Sequence, residues 1–368
     1  MLYYLSDLLS SWWGPLRLFK SHAFLLAAGT FAAAFATAFA LSRFARLLPR
    51  DRGKAICRDT GGELSAGKPT GAGMIVSLVA LPAIALFVPL AFWDMMCVIA
   101  LYGAMVAGYL DDRAAKPWGE GRKLALDVAV SVVIAVFVFL GHSDVSTGGS
   151  RTMLVWLPFF KGVWHVPFWA YVPSAALIIL FTLNATNCSD GVDALAGTLT
   201  AITLVMLAVL LYVVVGYRPV AHYFLIPCYA EAARWAMVVM TVAGAFGGYL
   251  WFNAEPSALL MGDAGSRYLG VLIATASLMT GNPLIVVALA PVVLVNGGGG
   301  LFKLLLLRIA ARLGFQIDDD ALIRRIRFPL HDHCKKKLGW SNAQVLMRFT
   351  LMQLVVMPFL LLLIVKVR

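Results

Sequence analysis

Charge is scarce in this chain: 13% of its 368 residues are Asp, Glu, Lys or Arg, against 61% that are hydrophobic. A soluble domain carries about 25% charged residues, so a water-soluble globule is excluded and lipid becomes the main solvent. Cysteine is sparse as well. Cys57, Cys97, Cys188, Cys228 and Cys334 lie far apart without a CxxC pair, a pattern that points to packing rather than to a zinc site or a disulfide framework. No long polar block interrupts the apolar runs, so no separate water-soluble domain is expected and residues 1–368 read as a single membrane domain. The first twenty residues lack the charged start, apolar middle and small-residue cleavage site of a signal peptide. Trp12, Trp13, Arg17 and Lys20 read instead as an interfacial lead-in, with the aromatics at headgroup level.

What the chain has is length in apolar runs, and its mean hydropathy is +0.84. Stretches near 21–45, 72–93, 95–110, 124–141, 168–184, 195–216, 232–251, 266–281, 283–307 and 343–365 match the ~20 residues that a helix needs to cross a ~30 Å hydrocarbon core. An all-α, polytopic integral membrane protein with about ten transmembrane helices follows. The Trp93–Asp94 region and the Gly281, Asn282, Pro283 triplet are the expected tight turns of two helical hairpins. The run Gly297 to Gly300 predicts either a break or kink, or a small-residue packing face.

Alternation of the spans puts five loops on one side, about 46–71, 111–123, 185–194, 252–265 and 308–342. This side holds Arg46, Arg50, Arg52, Lys54, Arg58 and Lys68 in its first loop. Its last loop adds Arg308, Arg312, Arg324, Arg325, Arg327, Lys335, Lys336 and Lys337. By the positive-inside rule it is cytoplasmic and both termini are outside, with Lys366 and Arg368 as the minority against. The net charge of +11 is thus a matter of topology, and no nucleic-acid partner is expected.

The few acids collect on that same side: Asp111 and Asp112, Asp190 and Asp193, Asp263, and Asp332 between His331 and His333. Intramembrane and interfacial carboxylates are costly, so their clustering predicts one shared site whose walls are these five loops. Each cluster has a plainer reading too. Asp111–Asp112 fits a solvated helix end, Asp190 and Asp193 fit helix capping, and Asp263 fits a capping turn. The histidines fit an interfacial segment beside the lipid-binding lysines Lys335 to Lys337.

Five segments in order, KPTGAG (68–73), GYLDD (108–112), NATNCSDGVDALAG (184–197), YLWFNAEPSALLMGDAGSRYLG (249–270) and PLHDHCKKKLGW (329–340), resemble the phospho-N-acetylmuramoyl-pentapeptide transferase family. That family lies within the polyprenyl-phosphate N-acetylhexosamine-1-phosphate transferases. The likeness spans nearly the whole chain, and its PLHxH and GW elements look like the peptidoglycan branch. Departures are visible. His331–Asp332–His333 stands for the usual triple histidine, Asp111–Asp112–Arg113 for the DDY-type motif, Lys68–Pro69–Thr70 for TPT, and Leu260 for an aromatic residue before MGD.

The resemblance implies transfer of phospho-N-acetylmuramoyl-pentapeptide from UDP-N-acetylmuramoyl-pentapeptide to undecaprenyl phosphate, giving lipid I and UMP at the cytoplasmic face of a bacterial inner membrane. Membrane lipids are further partners, and a homodimer is compatible with the family. Two anionic reactants call for Mg²⁺ and cationic side chains. By resemblance, Asp263 is the metal ligand, and Asp111 and Asp112 supply a base or a nucleophile. His331 and His333 contact phosphate or sugar. Asn187, Asp193 and Asn253 match nucleoside-site positions, and Lys68, Thr70, Lys123 and Asp190 are further substrate-site residues. The HDH segment is expected to be irregular, with Asp332 turned away from the phosphates or tied to a cation. Other readings are N-acetylglucosamine-phosphate transfer, a transporter or flippase, and a non-catalytic scaffold.

Overall fold

The computed structural model describes residues 1–11, 13–51, 65–114, 116, 118–145, 149–315 and 322–366. Trp12, Arg52, Lys54, Cys57, Arg58, Arg368 and the side chain of Arg324 lie outside the described residues.

Each of the ten apolar stretches forms helix. In chain order the long ones are α2 (His22–Phe44), α4 (Phe92–Arg113), α5 (Glu120–His142), α6 (Phe168–Ser189), α7 (Leu195–Val209), α9 (Ala232–Asn253) and α16 (Asn342–Lys366), with α3 (Ala72–Phe87) and α10 (Gly262–Leu278) shorter. α7 runs on as a π-helix through Leu210–Val215. The ninth stretch is segmented into α11 (Ile285–Leu289), α12 (Pro291–Val293), a π-helical turn Leu294–Gly298 and α13 (Gly299–Arg312). Eight helices among the described residues are long and apolar enough to cross a membrane. The chain is a nearly all-α, multi-pass membrane protein.

α10 is the axis around which the others gather: every residue from Ala264 to Leu278 is buried, and it packs mainly on α3, α4 and α6, with α5, α7, α9 and α11 also in contact. Such a helix has no lipid-facing side, and Arg267 on it is enclosed by protein.

Several local expectations change. Trp93 and Asp94 belong to the first turn of α4, and the hairpin turn falls earlier, at residues 88–91 before Phe92. Asp94 is buried, accepts from Trp235 Nε1 at 2.8 Å and lies 2.9 Å from His142 Nε2, so this acid sits at the end of the helices opposite Asp111 and Asp263. The glycine run widens the helix instead of breaking it, through the π-helical turn Leu294–Gly298. It also packs closely, since a Cβ on Gly297 would collide with the Ala185 carbonyl and one on Gly299 with the Phe328 ring. The sharper discontinuity lies upstream, at Ala290 and Pro291. The HDH segment is helical, inside α15 (Leu330–Leu338), with the four-residue α14 (Leu322–Arg325) before it.

Between α5 and α6 stands a feature the apolar runs do not announce, an antiparallel sheet of β1 (Asp144–Val145), β2 (Arg151–Trp156) and β3 (Val163–Pro167). Thr152 pairs with Pro167 and Trp156 with Val163. Thr152, Val155, Trp156, Val163, Trp164 and Val166 are the β-branched and aromatic residues that favour strands. The N-terminal lead-in is α1 (Leu2–Leu9) followed by a 3₁₀ segment Gly14–Lys20. The Met1 amine donates to the carbonyls of Ala85 and Leu86 at 2.9 and 3.0 Å, which pins it to the end of α3. A short helix, α8 (Arg218–Tyr223), precedes α9.

Candidate active site

The C-terminal ends of α4, α6 and α9 meet the N-terminal ends of α5 and α10, and here the polar motifs converge. At the centre is a carboxylate pair bridged by a cation. Lys123 Nζ lies 2.5 Å from Asp111 Oδ2 and 3.7 Å from Asp263 Oδ2. Asp111 also accepts from the Trp118 backbone N–H at 2.8 Å. Helix ends supply these three groups: Asp111 ends α4, Lys123 lies in the first turn of α5 and Asp263 in that of α10. Helix termini with unsatisfied backbone groups favour polar residues here.

Asp112 does something different. Its Oδ1 accepts from the backbone N–H of Asp263 at 3.1 Å and its Oδ2 from that of Ala264 at 3.2 Å, so a residue of α4 caps the start of α10. The approach needs glycine at 262: its φ is +71°, and a Cβ there would collide with the Asp112 carboxylate. Asn187 is tied to the same helix, accepting from Ser266 Oγ at 2.8 Å.

A second polar group adjoins the first. Lys68 Nζ donates to Ser257 Oγ at 2.9 Å and lies 3.6 Å from Asp193 Oδ2, which itself accepts from the Ser257 N–H at 3.1 Å. Buried Asn253 accepts from the Ala194 N–H at 2.8 Å and donates to the Leu259 carbonyl at 2.9 Å, bracing the Asp193 turn against the loop before α10. Backbone bonds from Leu260 to Pro69, Ala72 to Leu260 and Gly73 to Met261 clip the KPTGAG segment to the MGD loop. Thr70 lies buried within it. Asp190 ends α6, three residues before Asp193.

His331 approaches from α15. Its backbone N–H and Nδ1 both reach Asn296 Oδ1, at 2.9 and 3.1 Å. An amide oxygen only accepts, so Nδ1 donates to Asn296 and the Nε2 edge is turned away from it. That Nε2 edge lies against Gly191, where a Cβ would collide with it, so the histidine segment abuts the Asp190–Asp193 turn. Asp332 Oδ1 is 3.7 Å from His331 Nε2. His333 Nδ1 accepts from the Arg327 N–H at 3.2 Å. Burial pushes the Cys334 thiol above its ordinary range, with Arg348 pulling the other way, and this sulfur packs as a small hydrophobe.

For a metal the fit is that of a hard cation. Asp111 and Asp263 offer carboxylate oxygens close to one another, both beside Lys123, and no set of three His, Cys, Asp or Glu among the described residues encloses an ion. Mg²⁺ is commonly held by one or two carboxylates with phosphate oxygens and water completing the shell, and this donor set matches that pattern.

Sequence reading missed Arg267, Asp127 and Asn296. Arg267 contacts both Asp127 and Asp263. The signal was present: Asp127 follows Lys123 by four residues and Arg267 follows Asp263 by four, each a charge one turn deeper in an apolar helix.

Residues 94–281 match glycosyl transferase family 4. The chain is 39% identical over 344 residues to the phospho-N-acetylmuramoyl-pentapeptide-transferase of Treponema pallidum (strain Nichols), covering 93% of this chain and 90% of that one. The protein of the same name from Bartonella quintana is 30% identical over 304 residues, covering 79% and 78%. That of Leptospira biflexa is 28% identical over 300 residues, covering 77% of each. The ordered motifs, the helical architecture and these similarities together make the chain a member of the phospho-N-acetylmuramoyl-pentapeptide-transferase family, within glycosyl transferase family 4.

Proposed function

We propose that the chain transfers phospho-N-acetylmuramoyl-pentapeptide from its UDP carrier to undecaprenyl phosphate, releasing UMP, at the cytoplasmic face of a bacterial inner membrane. The observation that carries this reading is the convergence of Asp111, Lys123 and Asp263 at one end of an apolar helix bundle. Such a site is reachable by a soluble nucleotide from one side and by a lipid phosphate from the bilayer.

In the reaction, a phosphate oxygen of the lipid attacks the phosphorus that bears the sugar. The bond from that phosphorus to the UMP oxygen breaks, so one phosphoanhydride replaces another. Both reactants are anionic, and positioning plus charge neutralisation supply most of the rate in phosphoryl transfer. Lys123 brings a cation to the reacting phosphates while holding Asp111 and Asp263 together. Asp112 fixes the first turn of α10, so Asp263 is presented from a rigid helix start. When bound at Asp263 and Asp111, Mg²⁺ supplies further neutralisation of the phosphate oxygens. Lys68, Thr70, Asn187, Asp190, Asp193 and Asn253 bind and orient the nucleotide side, and His331 and His333 contact sugar or phosphate.

A substrate exchange tests the reading. Purified protein with undecaprenyl phosphate and Mg²⁺ is expected to release UMP from UDP-N-acetylmuramoyl-pentapeptide and to give only background with UDP-N-acetylglucosamine. The reverse preference assigns the chain to N-acetylglucosamine-phosphate transfer.

A further inference from the structure

Directly beneath the Lys123–Asp263 contact lies a second charged layer. Arg267 NH1 donates to Asp127 Oδ1 at 2.6 Å, and the two side chains are 3% and 2% exposed, against 26% and 21% for Lys123 and Asp263 above them. Four-residue spacing on both α5 and α10 stacks the layers one turn apart. A diagonal contact joins them, for Arg267 Nε lies 3.7 Å from Asp263 Oδ2. That Nε is buried and makes no hydrogen bond among the described residues.

Burying an ion pair inside a membrane bundle is costly, and an apolar pair of similar volume often stabilises a fold as well or better. Stability alone therefore does not account for this pair. Its place does: a guanidinium is a rigid planar fork, so fixing one edge fixes the direction of the rest. Asp127 holds the NH1 end, and the Nε edge is thereby directed at the same Asp263 oxygen that Lys123 addresses from the other side.

We infer that Asp127 and Arg267 are positioning residues for the transfer reaction: locked to Asp127, Arg267 holds the Asp263 carboxylate in place from below, as Lys123 does from above, so that Asp263 is preset for the cation and phosphate it receives. The inference rests on the proposed function and deepens it at that same site.

The test uses full-length protein in detergent and the paired variant Asp127→Leu/Arg267→Met, which removes both charges and leaves neither buried alone. Three quantities are read: the thermal midpoint, kcat and KM for UDP-N-acetylmuramoyl-pentapeptide, and Mn²⁺ binding by electron paramagnetic resonance without substrates. The paired variant is expected to remain monodisperse with KM within about twofold of the parent, because a positioning loss falls on kcat. Its kcat should drop by roughly tenfold or more and its Mn²⁺ dissociation constant should rise by about as much, the scale on which a misplaced group loses rate. Arg267→Lys keeps the charge but not the fork, and it carries the same test should the paired variant fail to fold. Parental kcat and Mn²⁺ affinity in the variants overturns the inference. So does a parent that binds Mn²⁺ no more tightly than the paired variant, or a fall in thermal midpoint and a rise in KM with Mn²⁺ affinity unchanged. Absence of UMP release by the parent counts against the proposed function, and the Mn²⁺ isotherms then decide the role of the pair by themselves.

Discussion

Asp112 accepts the backbone N–H of Asp263 at 3.1 Å, so two acids 151 residues apart are coupled through the main chain of one and the side chain of the other. A pair of adjacent aspartates at the end of α4 thus divides its work: Asp111 faces Lys123 and Asp112 holds the start of α10.

The first prediction follows from that division. Asp112→Ala leaves the Asp263 and Ala264 N–H groups without their cap, and loss of a side-chain cap costs about 1 kcal/mol. A lower thermal midpoint should accompany the loss of UMP release. Asp111→Ala should lose rate with a smaller thermal change, because it removes one backbone bond, from Trp118, where Asp112→Ala removes two. Equal thermal shifts in the two variants contradict the assignment.

Lys123 is expected to act with both carboxylates as a unit. Lys123→Ala should reduce kcat by about 10²-fold, the scale of a lost electrostatic group. A double-mutant cycle with Asp111→Ala should be strongly non-additive, since the side chains are in contact. Additive losses measured by UMP release separate the two residues.

How much of this was legible in advance can be argued residue by residue. The helices were readable because uninterrupted apolar length is a strong signal, and the motif order marked the family. The β-sheet after α5 was not, because its strands are only two to six residues long. The helical HDH segment was misjudged from the i, i+2 spacing of His331 and His333, which looked incompatible with one shared helix face. They do not share one: His331 points to Asn296 and Gly191, His333 to the Arg327 backbone. Asp127 and Arg267 could each be seen as a charge one turn beyond Lys123 or Asp263, but only the packing of α5 on α10 makes them a pair.

A third prediction uses the close approach of Gly191 to His331. Gly191→Ala should push the imidazole aside and lower the rate by about tenfold or more. In a His331→Ala background the same change should have little further effect, because the ring it collides with is gone. An undiminished effect of Gly191→Ala in that background, read by UMP release, places its action elsewhere.

At the far end of the helices, Asp94 is held by Trp235 and His142. Trp235→Phe removes one donor to a buried carboxylate, a bond worth about 1.5–3 kcal/mol. The thermal midpoint should fall while kcat is unchanged. A selective loss of kcat at full stability contradicts a purely structural role for this contact.

The central claim is that Asp263 stands at the reaction centre, and its most direct test is UMP release by Asp263→Asn at saturating UDP-N-acetylmuramoyl-pentapeptide, undecaprenyl phosphate and Mg²⁺, beside the thermal midpoint and size-exclusion profile of the same sample. Asn keeps the volume and removes the charge that faces Lys123 and Arg267. The predicted result is a monodisperse, folded protein that releases no UMP above background. Near-parental turnover in that folded variant contradicts the account.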